Sequence, residues 1–261
     1  MQPIDTHCHI HDQEFFDAIK AEEIFQVSAT ELEHMLLIGT SLLDSRRAVD
    51  FASAHMDKSK AAVGIHPHEA LKMGSDQIKV DTSELKKLAQ NDHVRAIGEC
   101  GLDFYYNDRS KALALQTQLL EAQLQIATDL RLPVSFHVRE AFDDFWPVFD
   151  NFSGITGVLH SFTDRQKHVD VALSKELLVG INGIATFTSH SWQRQIFASI
   201  PLESVVLETD SPFLTPRPMR GTINEPRNVT YVTKFLAELR GDNAEHITQI
   251  TTNNARRLFR L

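Results

Sequence analysis

Short apolar runs rich in β-branched residues alternate with longer amphipathic stretches along nearly the whole chain. The short runs predict strands at about 2–6, 35–38, 61–65, 94–98, 133–136, 156–159, 177–181 and 204–207. The longer ones predict helices near 14–30, 43–57, 83–91, 110–131, 140–150, 164–175 and 190–199, with two more near 228–240 and 243–258. In 43–57, Leu43, Ala48, Phe51 and Ala52 recur at helical spacing, and in 110–131 Leu113, Leu120, Leu124 and Ala127 mark the expected buried face. A strand followed by helix, repeated, is the pattern of βα units on a parallel sheet.

Two architectures share that rhythm, the closed (β/α)₈ barrel and the open doubly wound sheet. The polar residues that end the strands decide between them. His7, His66, Glu99, His137, His160 and Asp210 each stand where an apolar run stops. His66, Glu99, His137 and His160 follow one another at about the 33 residues that one barrel unit takes, and the two wider gaps skip one strand each. In a barrel these strand ends form one ring around one mouth, whereas an open sheet spreads them along a line. We therefore expect a (β/α)₈ TIM barrel, formed as a single domain by residues 1–261.

The first strand adds a second histidine. In Asp5-Thr6-His7-Cys8-His9 alternate side chains share a face, so His7 and His9 project together and Cys8 projects the other way. The mouth then collects His7, His9, His66, Glu99, His137, His160 and Asp210. Imidazoles beside two carboxylates, with no thiolate, suit Zn²⁺, Mn²⁺, Fe²⁺ or Mg²⁺. One ion needs three or four protein ligands. The set is large enough for two divalent ions with a bridging carboxylate, which together activate water for hydrolysis. Asp210 is the natural ligand and general base beside that water.

Composition narrows the partners. Of 261 residues, 42% are hydrophobic and 23% charged, which excludes a disordered chain. No apolar run approaches the ~20 residues of a membrane span. No basic segment leads into an apolar one as in a secretory signal, and two cysteines build no disulfide framework, so we expect a cytoplasmic protein without membrane contact. We expect a monomer. A formal charge of −9 makes the chain a poor non-specific nucleic-acid binder unless metals and local arginines supply positive charge. Arg139 follows His137 on the same face and is placed to hold a phosphate oxygen or a neighbouring carboxylate. Arg217, Arg220 and Arg227 fall in a proline-rich loop after the last strand. The rings of Phe104-Tyr105-Tyr106 either stack on bases or pack against their own loop. Of the thirteen histidines, His34, His55, His93, His168 and His246 lie in amphipathic stretches and read as surface or boundary residues.

Several runs resemble the TatD family of metal-dependent hydrolases: Asp5-Thr6-His7-Cys8-His9, Gly64-Ile65-His66-Pro67, Gly98-Glu99-Cys100-Gly101-Leu102-Asp103, His137-Val138-Arg139, Leu159-His160-Ser161-Phe162 and Glu208-Thr209-Asp210-Ser211-Pro212. The segment Pro218-Met219-Arg220-Gly221 with Asn224-Glu225-Pro226 resembles the loop after that family's last strand. The resemblance implies a (β/α)₈ barrel, a two-metal site and deoxyribonuclease activity. By matching position it implies His7, His9 and Asp210 on a first metal, Glu99 as the bridge, His137 and His160 on a second, and His66 beside the scissile phosphate. Arg139 and Arg220 join His66 as expected substrate contacts. His11 departs from the family pattern, in which Asp usually follows the apolar residue, and Ser161 and Glu140 replace the more usual Cys and Asp.

The expected function is a deoxyribonuclease that uses two divalent ions (Mg²⁺, Zn²⁺ or Mn²⁺) on DNA single strands or 3′ ends, because a narrow barrel mouth admits a chain end more easily than a duplex. The rival is a metal-dependent amidase, deacylase or esterase of the wider barrel class, for which a carboxylated lysine at the end of the fourth strand would speak. A non-catalytic barrel is the third reading.

Overall fold

The computed structural model describes residues 1–106 and 108–261. Its eight strands are β1 (Ile4–Cys8), β2 (His34–Ile38), β3 (Ser59–Val63), β4 (Val94–Asp103), β5 (Val134–Arg139), β6 (Gly157–Leu159), β7 (Leu178–Ile181) and β8 (Val205–Leu207). All neighbours pair in parallel, in chain order. β8 returns to β1 beyond the ladder proper. Asp210 N–H donates to His7 O and His9 N–H to Ser211 O, both at 2.8 Å, and the Thr6 hydroxyl donates to Leu207 O at 3.0 Å. Asp5 adds a clip, its carboxylate accepting the N–H and hydroxyl of Thr209 at 2.9 and 2.6 Å. The eight-stranded barrel expected from the strand rhythm is present, with a single order and no switch point.

The outer ring comprises α1 (Ala18–Glu31), α2 (Leu42–Ala54), α3 (Ala70–Leu88), α4 (Arg109–Leu130), α5 (Phe142–Phe149), α6 (Gln166–Ser174), α7 (Ile184–Phe187), α8 (Ser191–Ser199), α9 (Val229–Arg240) and α10 (Ala244–Phe259). The helix expected at 83–91 is only the end of α3, which starts at Ala70 and kinks at Gly74, where φ is +67°. Beyond the kink, residues 75–82 bury only Ile78 and Thr82, too sparse a stripe for periodicity to find. Leu43 is exposed, because the buried stripe of α2 runs through Ser45, Ala48, Val49 and Ala52 instead. His168 is no surface histidine. It is buried, stacked on Phe142 with ring centres 4.6 Å apart, and accepts the indole N–H of Trp146 at 3.0 Å.

The core has two layers. Between barrel and helices lies a large cluster that includes Leu37, Val63, Leu120, Phe136 and Val205. Inside the barrel, Ile4, Leu36, Ile38, Ala62, Ala96, Val158, Leu178 and Val206 meet Ala255 and Phe259 of α10, which close the floor. Polar side chains are thereby confined to the opposite, C-terminal mouth.

Two irregularities aim the mouth. The β1–β2 register shifts by one residue between Asp5 and Cys8, and the β4–β5 register between Ile97 and Cys100. Ile4 faces the barrel interior, yet Cys8, four residues on, faces the helices. Ala96 faces the interior, and so does Glu99, three residues on, whereas strict alternation would send Glu99 outward. Each bulge thus reverses the parity of its strand just before a site residue. Gly101 lets β4 pass close to β5, since a Cβ there would sit on the carbonyl oxygen of His137.

Candidate metal centre

At the mouth His7 and His9 leave β1 on one face, and their Nε2 atoms lie 3.2 Å apart. Oδ1 of Asp210 is 3.7 Å from His7 Nε2 and 3.3 Å from His9 Nε2. Asp210 follows β8 with a left-handed backbone, φ +58°, an uncommon conformation for a residue with a Cβ. Its N–H to His7 and its carbonyl, which accepts Phe213 N–H at 2.8 Å, hold it there.

Glu99 lies between two groups of imidazoles. Its Oε2 is 3.5 Å from His7 Nε2 and 4.0 Å from His9 Nε2. Its Oε1 is 2.6 Å from His137 Nδ1, 3.6 Å from His160 Nε2 and 3.8 Å from His66 Nε2. The ring of His160 stacks on that of His7 at 3.5 Å. Donor atoms of His7, His9 and Glu99, of His7, His160 and Asp210, and of His66, Glu99 and His137 each converge within 4.8 Å.

The far side of each ring is also engaged. His9 Nδ1 lies 2.8 Å from Ile38 O, and His7 Nδ1 lies 3.4 Å from Ser135 Oγ. His137 Nε2 donates to Asp103 Oδ2 at 2.9 Å, and His160 Nδ1 lies 3.1 Å from Glu208 Oε1. Fixing the outer nitrogen fixes the tautomer and aim of the inner one, as in metal sites generally. His66 differs. Its Nδ1 accepts the N–H of His68 at 3.2 Å, so its Nε2 carries the proton and presents a donor to the cavity.

Electrostatics favour cations here. Burial lowers the basicity of His9 and His137, but the facing carboxylates outweigh it and push both up to about 9. Burial opposes ionisation of Glu99 and Asp210, yet the surrounding imidazoles hold both below the usual carboxylate range. His66, half-buried against His137, is pushed down to about 3 by its loss of solvent and by that neighbouring imidazole, and is neutral. Carboxylates that draw protons onto convergent imidazoles create the charge deficit that divalent ions relieve by displacing those protons. The donor set of nitrogen and carboxylate oxygen, with aimed rings, fits such ions.

Most residues expected from the sequence come together. His9, His66, Glu99, His137, Arg139, His160 and Asp210 line one cavity of about 620 Å³, with buried His7 behind them. Arg220 does not reach it. Its guanidinium lies 4.0 Å from the Phe187 ring centre and donates to Thr215 O at 3.1 Å. Arg227 pairs with Glu225 at 2.7 Å. His11 is buried 3.2 Å from Asp44 and does not face the convergent donors. His68, Asp103 and Glu208 were given no role by the sequence. Two had a visible signal: Asp103 shares the parity of Glu99, and Glu208 that of Asp210, each on a strand end already singled out.

A closed parallel barrel with aimed histidines and carboxylates at its C-terminal mouth defines the class of metal-dependent barrel hydrolases. Within that class, the chain belongs to the TatD family: the family described as "TatD related DNase" matches residues 4–260. Among relatives, the metal-dependent hydrolase YabD of Bacillus subtilis is 31% identical over 259 residues, covering 98% of each chain. The 3′-5′ ssDNA/RNA exonuclease TatD of Pantoea ananatis is 36% identical over 234 residues, covering 87% of this chain and 88% of that one. The crystal structure of YJJV, a TatD homologue from Escherichia coli K12, superposes with a TM-score of 0.86 at 28% identity, covering 99% of this chain and 98% of that one. Among the described residues no helix is long and apolar enough to cross a membrane.

Proposed function

We propose that the chain is a two-metal nuclease that hydrolyses phosphodiester bonds at the 3′ ends of single-stranded DNA or RNA, acting as a monomeric, one-domain enzyme of the cytoplasm. The observation that carries this reading is the division of Glu99: Oε2 faces His7 and His9, and Oε1 faces His137 and His160. His7, His9, Asp210 and Glu99 Oε2 would hold one divalent cation, and His137, His160 and Glu99 Oε1 a second. Mg²⁺, Mn²⁺ and Zn²⁺ all suit these donors. Such a pair, when bound, supplies electrophilic activation of the phosphoryl group and of the attacking water.

The chain's own residues do the rest. Asp210 orients the water and takes its proton as the oxygen attacks phosphorus and the bond to the leaving oxygen opens. His66, neutral with its proton on Nε2, donates to a phosphoryl oxygen across the cavity. Arg139 stands further out, its guanidinium 3.6 Å from the Tyr105 ring centre, where it meets a phosphate rather than a neighbouring carboxylate. The names of the relatives support a nucleic-acid substrate. Glu99 at the β4 position, in place of a lysine, weighs against the amidase alternative.

The test is to strip the purified protein of metal, restore Mg²⁺, Mn²⁺ or Zn²⁺ singly, and assay end-labelled DNA and RNA strands beside closed circles, esters and amides. We expect metal-dependent release from free 3′ ends and none from circles. Turnover of amides with no cleavage of either polynucleotide would overturn the reading, and full activity of Asp210→Asn would remove Asp210 as the base.

A further inference from the structure

The metal centre is not the end of the concave surface. The central cavity shares Val138, Arg139 and Thr163 with a second cavity of about 540 Å³. That one shares Arg165 and Trp192 with a third, also about 540 Å³. The three form one trench that leaves the mouth past the end of β5 and runs between the starts of α6 and α8.

Its lining alternates cations with rings. The Arg139 guanidinium lies 3.6 Å from the Tyr105 ring centre, and that of Arg165 lies 4.5 Å from the Trp192 ring centre, with His190 stacked on Trp192 at 5.8 Å. Neither arginine has a carboxylate within 4.0 Å among the described residues. A guanidinium seated on a ring keeps its N–H edge free for an anion. Outside the central cavity, whose lining adds Asp12 and Glu69 to the carboxylates of the metal centre, two acidic residues line the trench, Glu140 and Asp164, and Asp164 is already engaged by the backbone N–H of Arg165 at 2.6 Å. In a chain of net charge −9, two unpaired guanidiniums in succession beside the metal centre are a local reversal of sign.

We infer that this trench carries the body of a single-stranded polynucleotide whose last nucleotide occupies the metal centre. Phosphates meet Arg139 and Arg165, and bases stack on Tyr105 and Trp192. The inference rests on the nuclease reading above and adds to it a binding subsite several nucleotides from the chemistry. Stacking on flat rings tolerates any base and backbone phosphates carry no sequence, so the trench confers length preference and not sequence preference. DNA and RNA share the chemistry it reads.

The test compares kcat/KM on a dinucleotide and on an oligonucleotide of about ten residues, thymidylate in one arm and uridylate in the other. The metal-loaded full chain is assayed as wild type, Trp192→Ala, Trp192→Phe and Arg165→Gln. In the wild type we expect the longer substrate to be preferred. Trp192→Ala should lower the long-to-short ratio roughly tenfold, through KM, and Trp192→Phe should restore most of it. A packing defect would lower both substrates together and leave the ratio intact. Arg165 is exposed, so Arg165→Gln tests the trench without disturbing the core, and should flatten the slope of log KM against log salt by about 0.7, the share of a single phosphate no longer neutralised. If the long-to-short ratio and salt slope keep their wild-type values in all three variants, the trench is overturned while the nuclease reading stands. If the wild type cleaves no oligonucleotide of either kind, the nuclease reading falls first and the trench with it.

Discussion

Oε1 of Glu208 lies 3.1 Å from Nδ1 of His160, and the same oxygen accepts the N–H of Ser161 at 2.6 Å. Glu208 is fully buried and touches no part of the cavity where substrate would sit. Its carboxylate holds the His160 ring so that Nε2 points at Glu99. Replacing it by glutamine keeps the volume and weakens the charge that orients the ring. We expect Glu208→Gln to lose about 10- to 100-fold in metal affinity. Titration of the stripped protein with Mn²⁺ or Zn²⁺ checks this, and unchanged binding isotherms would refute it.

Asp103 plays the matching part for His137. Its Oδ2 accepts the Nε2–H of His137 at 2.9 Å and lies 3.0 Å from Nε2 of His68. Because His137 faces only the Oε1 side of Glu99, the two-cation reading proposed above expects Asp103→Asn to weaken the cation on that side and spare the other. Metal analysis after gel filtration should then find nearer one ion per chain than two. Equal loss of both ions would mean that Asp103 supports the fold of the mouth as a whole.

Gly101 is required by the strand packing. A methyl group there would collide with the His137 carbonyl, which is backbone and cannot rotate away. Gly101→Ala should cost about 1–3 kcal/mol or more of unfolding free energy, read from denaturant melts. An alanine variant as stable as the wild type would show that β4 and β5 separate more freely than their packing implies.

His168 makes stability depend on pH away from the metal centre. Burial depresses its pKa below the ordinary 6.5, Asp143 and Asp164 oppose that from 3.9 and 3.7 Å, and Lys167 adds to it. Its Nδ1 must be unprotonated to accept from Trp146. A folded-state pKa below the unfolded one means that the contribution is full above about pH 6.5 and is lost as the pH falls through the folded value. The Tm difference between wild type and His168→Gln should therefore shrink on going from about pH 7.5 to about pH 5. A difference that is constant or grows toward acid would show that the imidazole is held protonated instead.

The barrel was legible because its units repeat and because polar residues end its strands at unit spacing. Alternation alone placed His7 and His9 on one face, and placed Arg139 with His137. What alternation could not supply was the phase. Counted from Ile4 or from Ala96, strict period-two placement turns His7 and Glu99 away from the interior, and only the bulges return them. Reading β4 as ending at Gly98 placed Glu99 at a strand end for an incomplete reason, and stopped short of Asp103 five residues later. Arg220 was expected at the mouth because its loop follows the last strand. A cation that finds an aromatic face and a carbonyl nearby stays there, and sequence gives no sign of that local choice. The same preference puts Arg165 on Trp192, residues too far apart along the chain to be paired by inspection.

The extra residue in β1 and the one just before Glu99 in β4 give this barrel something like a reading frame. Helices and rim loops tolerate the gain or loss of a residue, since their ends absorb it. In these two strands the pairs flanking each bulge fix the frame: Asp5 and Cys8 pair with Met35 and Leu37, Ile97 and Cys100 with Val134 and Phe136, all four partners facing the helices, so a lone residue left between them would face inward. Loss of Thr6 or Gly98 would straighten its strand and leave His7 or Glu99 facing the mouth, so each of these strands can shed a residue at its bulge without moving the donor from its side of the sheet.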